Sequence, residues 1–303
     1  MRTLHTRMLR YLDEVARCGS IRKAAARLNV AASSINRQII ALEEEAGMPL
    51  FERLPNRLRM TAAGETVLAH IRRTLSDFER TQSYLEDLRG ARRGEVTVAM
   101  MGGLGSDLMA RAAVAFRDRR PHVKLIFHRF NMAEIVTAVR EGRADLGLGF
   151  SADEPRGLRS LLVVECPVGA VMSPRHPLAQ RTALRLTELL TQRLIMPSSN
   201  MSLRHVVDAL FSRGGIRVDT LVEANEVELM KRLAVLEHGI TLLNRMNIEP
   251  ERQRGELVFV PIQERNPPVQ TLRLLELSRP STSTLPAIFA ETLERLVRET
   301  YPS

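Results

Sequence analysis

With 303 residues, 44% of them hydrophobic and 26% charged, the chain has the length and composition of two or three compact units, each with its own core. No apolar run reaches the ~18 residues of a membrane span, and the Arg-rich, amphipathic N-terminus lacks the apolar centre of a secretory signal, so no membrane association and a cytoplasmic location are expected. The formal charge of +9 is unevenly placed: residues 1–61 hold eleven Lys and Arg against six Asp and Glu, residues 62–91 four against five, and the remaining 212 residues 29 against 24.

Net positive charge per residue, +5 over 61 residues against +5 over 212, is thus about three times denser in the first segment than in the last, the footprint of a small nucleic-acid-binding domain on a larger body. The two cysteines, Cys18 and Cys166, match no metal or redox spacing and are expected to be inert thiols. There is no HExxH, and His122 and His128 are expected to mark one face of a strand rather than a metal site.

In chain order, Met8, Leu9, Leu12, Val15 and Ala16 recur at helical spacing in HTRMLRYLDEVAR, which predicts a helix over 5–17. Gly19 ends it, and Ser20 can cap a second helix over Ile21 to Leu28. Asn29 and Val30 make a turn into a third helix, which runs to about Ala46 before Gly47 and Pro49. FERLPNRLRMT places Leu54, Leu58 and Met60 around a Pro-Asn turn and reads as a short hairpin wing. Thr61 is a good N-cap for a long helix over 62–91, with Glu65 in its first turn. Along it Leu68, Ile71, Leu75, Phe78, Gln82 and Leu85 follow at alternating spacings of three and four, a heptad seam with a polar break at Gln82. Two readings fit the seam: packing on its own domain, and helix-helix dimerisation, which its length and flanking charge favour. GARRG, residues 90–94, reads as a hinge.

Beyond the hinge, strands and helices alternate: EVTVAMM, a helix from Asp107 to Arg119, VKLIFHRF, a helix from Ala133 to Glu141, and DLGLGF. A second round has LLVVECPVGAVMS, helices near Leu186 to Leu190 and Leu203 to Phe211, then TLVEA, a helix from Val227 to Glu237, GITLLN and LVFVPI. VQTLRLLELS and a helix from Leu285 to Thr300 follow. This alternation with apolar strands predicts a mostly parallel sheet covered on both faces.

The third helix carries the most specific chemistry. At about 100° per residue, Ile35, Ile39, Leu42 and Ala46 share a stripe expected to be core, while Ser33, Asn36, Arg37 and Ile40 share the opposite one. A hydroxyl, an amide and a guanidinium there can pair with base edges or phosphates in a major groove. The preceding helix, the short turn and the basic wing complete the docking pattern of a helix-turn-helix. Ala31 and Ala32, however, stand at the helix start, where a capping hydroxyl and a base-reading side chain are expected.

The segments GSIRKAAARLNV, SSINRQIIALEEEAGMPLFER and RLRMTAAG, in this order and spacing, resemble the LysR-type transcriptional regulators. FRDRRPHVKL, EGRADLGLGF, SPRHPLA and EHGITLL are similar to landmarks of that family's effector domain. The resemblance implies an α+β protein with an N-terminal winged helix-turn-helix in 1–61, a linker and dimerisation helix in 62–91 and an effector-binding domain in 92–303. That last domain would be periplasmic-binding-protein-like, with two α/β lobes: lobe one from 94–163 and 268–303, lobe two from 164–267. It further implies a regulator that binds double-stranded operator DNA as a homodimer or homotetramer and responds to a small-molecule effector in the interlobe cleft. RNA polymerase is a further partner compatible with that role.

Carried over residue by residue, the resemblance makes Ser33, Asn36 and Arg37 groove-facing, with Ser34 and Gln38 flanking them. It makes Arg53, Arg57 and Arg59 wing contacts to phosphate or minor groove, and Leu68, Ile71, Leu75, Phe78, Gln82 and Leu85 the pairing seam. Effector contacts fall on Gly102, Gly103 and Ser106 of MGGLGS and on Ser199, Asn200 and Ser202 of SSNMS. Both loops open helices, where free N-H groups and the helix dipole favour an anion such as a carboxylate. SSNMS also reads as an exposed capped loop. The sequence departs from the family at Ala31 and Ala32, where Ser or Thr followed by Gln is usual, at Asn36, where Ser is usual, and in the glycines of the first loop. DNA binding is therefore implied but its base preference is not, and backbone N-H groups would do more of the holding in the cleft.

Other classes fit less well. EVTVAMM followed by GGLGS invites a nicotinamide-dependent oxidoreductase, but counting from Gly103 the sixth position is Leu108, and KLIFHRF has no carboxylate for the ribose. No G-x-S-x-G elbow marks a hydrolase. The expectation is a regulator that is not an enzyme and holds no cofactor or metal; the alternative is a DNA-binding protein whose C-terminal domain only assembles oligomers.

Overall fold

The computed structural model of the protein describes residues 7–54, 57–88, 94–104, 106–213, 222–278 and 284–301. The chain divides into two units, the first mainly Met1–Arg93 and the second mainly the chain from Gly94 onward.

In the first unit, α1 (Arg7–Cys18), α2 (Ile21–Leu28) and α3 (Ala32–Ala46) close around Leu12, Val15, Ala24, Ile35 and Ile39. Ser20 caps α2, its hydroxyl oxygen accepting from the Lys23 N-H at 3.5 Å, and Asn29 ends that helix in the left-handed region at φ 52. Asn tolerates this conformation better than most residues, so a three-residue linkage suffices between the helices. Ala46, expected in the core stripe, is exposed instead, because α3 runs past the core before it stops at Gly47.

The wing is an antiparallel pair, β1 (Phe51–Leu54) and β2 (Arg57–Met60), in register from Phe51 opposite Met60 to Leu54 opposite Arg57. Its Pro-Asn turn, residues 55 and 56, lies outside the described residues. Glu43 fastens the wing to α3: one carboxylate oxygen accepts from the N-H groups of Leu50 at 2.8 Å and Phe51 at 3.0 Å. The Leu58 N-H donates to the Gly19 carbonyl at 2.8 Å and so ties β2 to the turn between α1 and α2.

Thr61 caps α4 (Ala62–Leu88), its hydroxyl oxygen accepting from the Gly64 N-H at 3.0 Å and donating to the Pro49 carbonyl at 2.8 Å. Thr61→Ala is expected to cost about 1 kcal/mol, the usual worth of such a cap. A denaturant midpoint for the first unit that does not move would rule this out. Farther along, the seam divides. Ile71 and Leu75 pack into the same core as Leu12 and Ile35, and Arg72 bonds Asp13 of α1 at 2.8 Å. Leu68, Ile71 and Phe78 are buried within the single chain. The seam is thus not kept whole for a partner helix, and packing on its own domain accounts for Ile71 and Leu75. A heptad pattern shows which face is apolar, not what covers it. The side chains of Gln82 and Leu85 lie outside the described residues, as do residues 90–93 of the expected hinge.

The second unit begins with β3 (Glu95–Met100), α5 (Ser106–Arg119), β4 (Lys124–Arg129), α6 (Met132–Arg140), β5 (Leu146–Phe150) and β6 (Leu158–Met172). It continues through α7 (Leu186–Leu189), β7 (Leu194–Pro197), α8 (Ser202–Arg213), β8 (Val222–Ala224), α9 (Val227–Val235), β9 (Ile240–Asn244) and α10 (Arg245–Gln253). It ends with β10 (Val258–Pro261), β11 (Val269–Leu277) and α11 (Thr284–Thr300). Two of these carry no sequence signal: β7, whose LIMP is too short to show a period, and α10, whose RMNIEPERQ is polar and contains Pro250.

The strands form one nine-stranded sheet in the order β4-β3-β5-β11-β6-β9-β7-β8, with β10 also paired to β6. It is mixed rather than mostly parallel. The outer triplets β4-β3-β5 and β9-β7-β8 are parallel, while β11 and β6 at the centre pair antiparallel with all their neighbours. The 15-residue β6 joins two lobes because it changes partners: Leu158 to Pro167 pairs with β11, and Val168 to Met172 with β9 and β10. Its burial alternates in the first part and is continuous from Val168 to Met172, the difference between a strand covered on one face and one covered on both. One core gathers Phe116, Leu146, Leu272 and Phe289, and the other Met172, Leu184, Val207, Met230 and Leu243. His122 falls in the turn before β4, so only His128 of the expected pair is on the strand.

Candidate DNA interface and ligand cleft

On α3 the core stripe and the outward stripe separate as helical spacing requires. Ile35 and Ile39 are buried, Ser33, Arg37 and Gln38 are exposed, and Ser34 and Asn36 are half-buried. Among the described residues none of these five polar side chains has an intramolecular hydrogen bond or ion pair, so their polar groups are available to a partner. The N-cap Ala31 supplies no side-chain acceptor to the first turn, as its methyl group dictates. Elsewhere in this unit three acids are engaged internally, while Glu44 and Glu45 at the far end of α3 are exposed: Glu14 holds Arg27 at 3.0 Å, Asp13 holds Arg72 at 2.8 Å, and Glu43 holds the wing. Hydrogen bonds from Cys18 and Arg27 keep the Glu14 carboxyl below the usual range. Arg57 on the wing is exposed, whereas Arg59 faces Glu52 across the strand pair at 3.5 Å. The Arg53 side chain lies outside the described residues. The result is a basic face with a free guanidinium at Arg37, the arrangement that pairs with guanine edges or phosphates.

In the second unit a cleft of about 220 Å³ lies between the lobes, lined by Met100, Gly102, Gly103, Phe127, His128, Arg129, Glu226, Val227 and Glu228. Contacts between described residues bridge the lobes here. Asn247 Nδ2 donates to the Gly103 carbonyl at 2.6 Å, Arg129 faces Glu226 at 3.6 Å, and Val227 packs on Gly103. Glycine is required at 103 twice over: its φ of +80 is left-handed, and a Cβ there would meet Val227 at 2.8 Å. At Gly102 a Cβ would collide with the Arg129 guanidinium, so the bare loop is what lets that side chain lie across it. Behind the cleft, buried Asn244 caps α10 through the Asn247 N-H at 3.2 Å and donates to Gln270 Oε1 of β11 at 2.8 Å. Gln270, Asn244 and Asn247 thus form a buried polar chain from the central strand to the loop of lobe one.

The family model described as the LysR substrate binding domain matches residues 89–297, more than half of the chain, and the one described as bacterial regulatory helix-turn-helix protein, lysR family, matches residues 6–65. The chain belongs to the LysR family of transcriptional regulators. This LysR-type regulator is 26% identical over 262 residues to a probable RuBisCO transcriptional regulator of Synechocystis sp., covering 84% of its own chain and 76% of the relative. It shares its fold with a full-length OxyR variant from Pseudomonas aeruginosa at a TM-score of 0.72 and 18% identity, covering 96% of its own chain and 93% of the other. The fold is also that of full-length CbnR complexed with its target DNA, at a TM-score of 0.55 and 21% identity, covering 97% and 99% of the two chains.

Of the residues expected to hold the effector of this LysR-type regulator, Gly102 and Gly103 line the cleft. The Ser106 side chain lies outside the described residues. Ser199, Asn200 and Ser202 do not line it: Ser199 and Asn200 are exposed in a turn ahead of α8, and the lobe-two wall is the start of α9 instead. Their polar composition was a turn signal, and composition alone does not say which helix start faces the other lobe. Sequence reasoning missed Arg129, Glu226, Val227 and Asn247, none of which stands in a recognisable local pattern. It also missed Glu43, hidden in a run of three glutamates.

Cys166 of the regulator is buried beside Met246, their sulfurs 3.2 Å apart, and burial pushes its thiol up to about 12. At pH 8 the thiolate, the reactive form, is then strongly disfavoured. Iodoacetamide at that pH is expected to leave Cys166 unmodified in the native protein and to alkylate it in denaturant; native labelling read by peptide mass would contradict this. Desolvation and a hydrogen bond to Glu14 raise Cys18 as well.

Proposed function

We propose that this LysR-type regulator reads operator DNA through Ser33, Asn36 and Arg37 of α3, flanked by Ser34 and Gln38, with Arg53, Arg57 and Arg59 of the wing on the backbone. The observation that carries this reading is the outward stripe of α3, whose polar side chains lack intramolecular partners among the described residues of a unit with a net positive charge. The protein acts as a homodimer or homotetramer paired through the later part of α4, the stretch that carries Gln82 and Leu85. It is not an enzyme, works in the cytoplasm, and contacts RNA polymerase at the promoters it controls. Among the described residues no helix is long and apolar enough to cross a membrane.

A small-molecule effector binds between the lobes, which divide near 163/164 and 267/268, and the 92–303 domain transmits its presence to the 1–61 domain through the 62–91 helix. Closure of two lobes around a ligand is the motion such a pair supports. Genome-wide mapping of bound sites tests the first part: bound fragments should share one motif, and a uniform spread would refute sequence reading. Footprints of a mapped operator with and without a bound small molecule test the second. Superimposable footprints with unchanged transcription would refute effector control and favour a domain that only assembles oligomers.

A further inference from the structure

The two walls of the cleft carry opposite charge. Lobe one contributes Arg129 with His128 beside it, and lobe two contributes Glu226 and Glu228. Arg129 Nη1 and Glu226 Oε1 stand 3.6 Å apart across the opening, with side chains 66% and 49% exposed. Glu228 is already engaged by Lys231 at 2.8 Å, and Lys231 by Glu251 at 3.1 Å, so Glu226 is the acid that faces Arg129. An exposed pair of this kind contributes little to stability, and a ligand can separate it.

What separates it is constrained by what is left behind. A simple anion on Arg129 would displace Glu226 and then sit beside it, like charge against like. A simple cation on Glu226 would leave Arg129 in the same position. A molecule with both charges replaces one ion pair by two and leaves neither wall repelled. The rest of the lining is apolar or bare, with Met100, Phe127 and Val227 available to a short hydrocarbon body and Gly102 and Gly103 offering only backbone. The volume of about 220 Å³ is below the ~300–1,000 Å³ of sites for drug-sized ligands, so the ligand is small.

We propose that the effector is a small zwitterion, an amino acid or close analogue, whose acid group pairs with Arg129 and whose ammonium pairs with Glu226. This rests on the reading of the cleft as the effector site, and it replaces the expectation of an anion held at helix N-termini with a dipolar ligand held between side chains. Arg129 and Glu226 then select for the two charges, and Gly102 keeps the space in which Arg129 reaches the ligand.

Calorimetric titration of the full-length protein tests this with the standard α-amino acids and their β- and γ-amino counterparts, each beside its des-amino acid and its carboxamide. At least one zwitterion is expected to bind, and loss of either charged group to weaken it at least tenfold. Glu226→Gln is expected to erase the difference between that zwitterion and its des-amino acid, and Arg129→Gln the difference between it and its carboxamide. Both side chains are exposed, and circular dichroism of the variants checks that they fold. The proposal is overturned by a des-amino acid that binds as tightly as its zwitterion, by a Glu226→Gln variant that keeps the preference for the amine, or by a panel in which no zwitterion binds. A plain acid that binds and shifts the operator footprint would overturn the zwitterion while leaving effector control standing; effector control fails only if a bound ligand leaves both the footprint and transcription unchanged.

Discussion

Asn244→Ala is expected to destabilise the second unit by about 2 to 4 kcal/mol, from the loss of an N-cap and the exposure of a buried acceptor to an apolar surrounding. Asn244 is fully buried, so no water replaces what its side chain does. Its oxygen accepts from the Asn247 N-H at 3.2 Å at the start of α10, and its nitrogen donates to Gln270 Oε1 at 2.8 Å. Alanine removes the cap and strands the Gln270 oxygen. Because Asn247 reaches across to the Gly103 carbonyl, a frayed α10 also loosens the contact between the lobes. Urea unfolding followed by a probe in the second unit reads the effect. Gln270→Leu should be costly alone, and the double variant should lose less than the two losses added, since residues in one hydrogen-bond network are not independent. Full additivity would show that the two side chains do not act as a pair.

Arg37→Ala is expected to weaken operator binding by about 1 to 3 kcal/mol, roughly a five- to 150-fold rise in Kd. The side chain is exposed on the outward stripe of α3 and free of intramolecular partners, so its removal leaves the core intact. If Arg37 reads a base, the loss should be concentrated on operators carrying the preferred base pair, and the variant should discriminate less at that position. If it holds a phosphate, the loss should be uniform across operator sequences and the salt dependence of binding should fall by about one unit of slope. Binding by fluorescence anisotropy at two salt concentrations separates these outcomes, and an unchanged Kd would remove Arg37 from the interface.

Legibility differed sharply between the two units. In the first, each boundary has a local cause: Gly19 and Gly47 in left-handed conformations, the Ser20 and Thr61 caps, and the apolar stripe of Ile35 and Ile39. All act within a turn or two of chain, so they can be read off without the rest of the molecule. The same locality explains why Ala31 and Ala32 could be recognised as a missing cap. The seam of α4 shows the limit of such reading: its apolar face was visible, but its cover was not, and Ile71 turned out to lie on α1's own core.

The sequence by itself determined the family, the basic winged helix-turn-helix and the order of most strands and helices, because periodicity, capping and charge are properties of neighbouring residues. Tertiary structure alone decided the cleft. Asn247 and Gly103 meet although 144 positions separate them, and Arg129 and Glu226 face each other only because β6 changes partners midway and sets two lobes side by side. Long-range pairing of this kind is fixed by which strands share a sheet, and no local pattern around Arg129 or Glu226 records it. Of the two loops that looked most like a ligand site in sequence, the glycines of the first line the cleft and the serines of the second lie outside its lining.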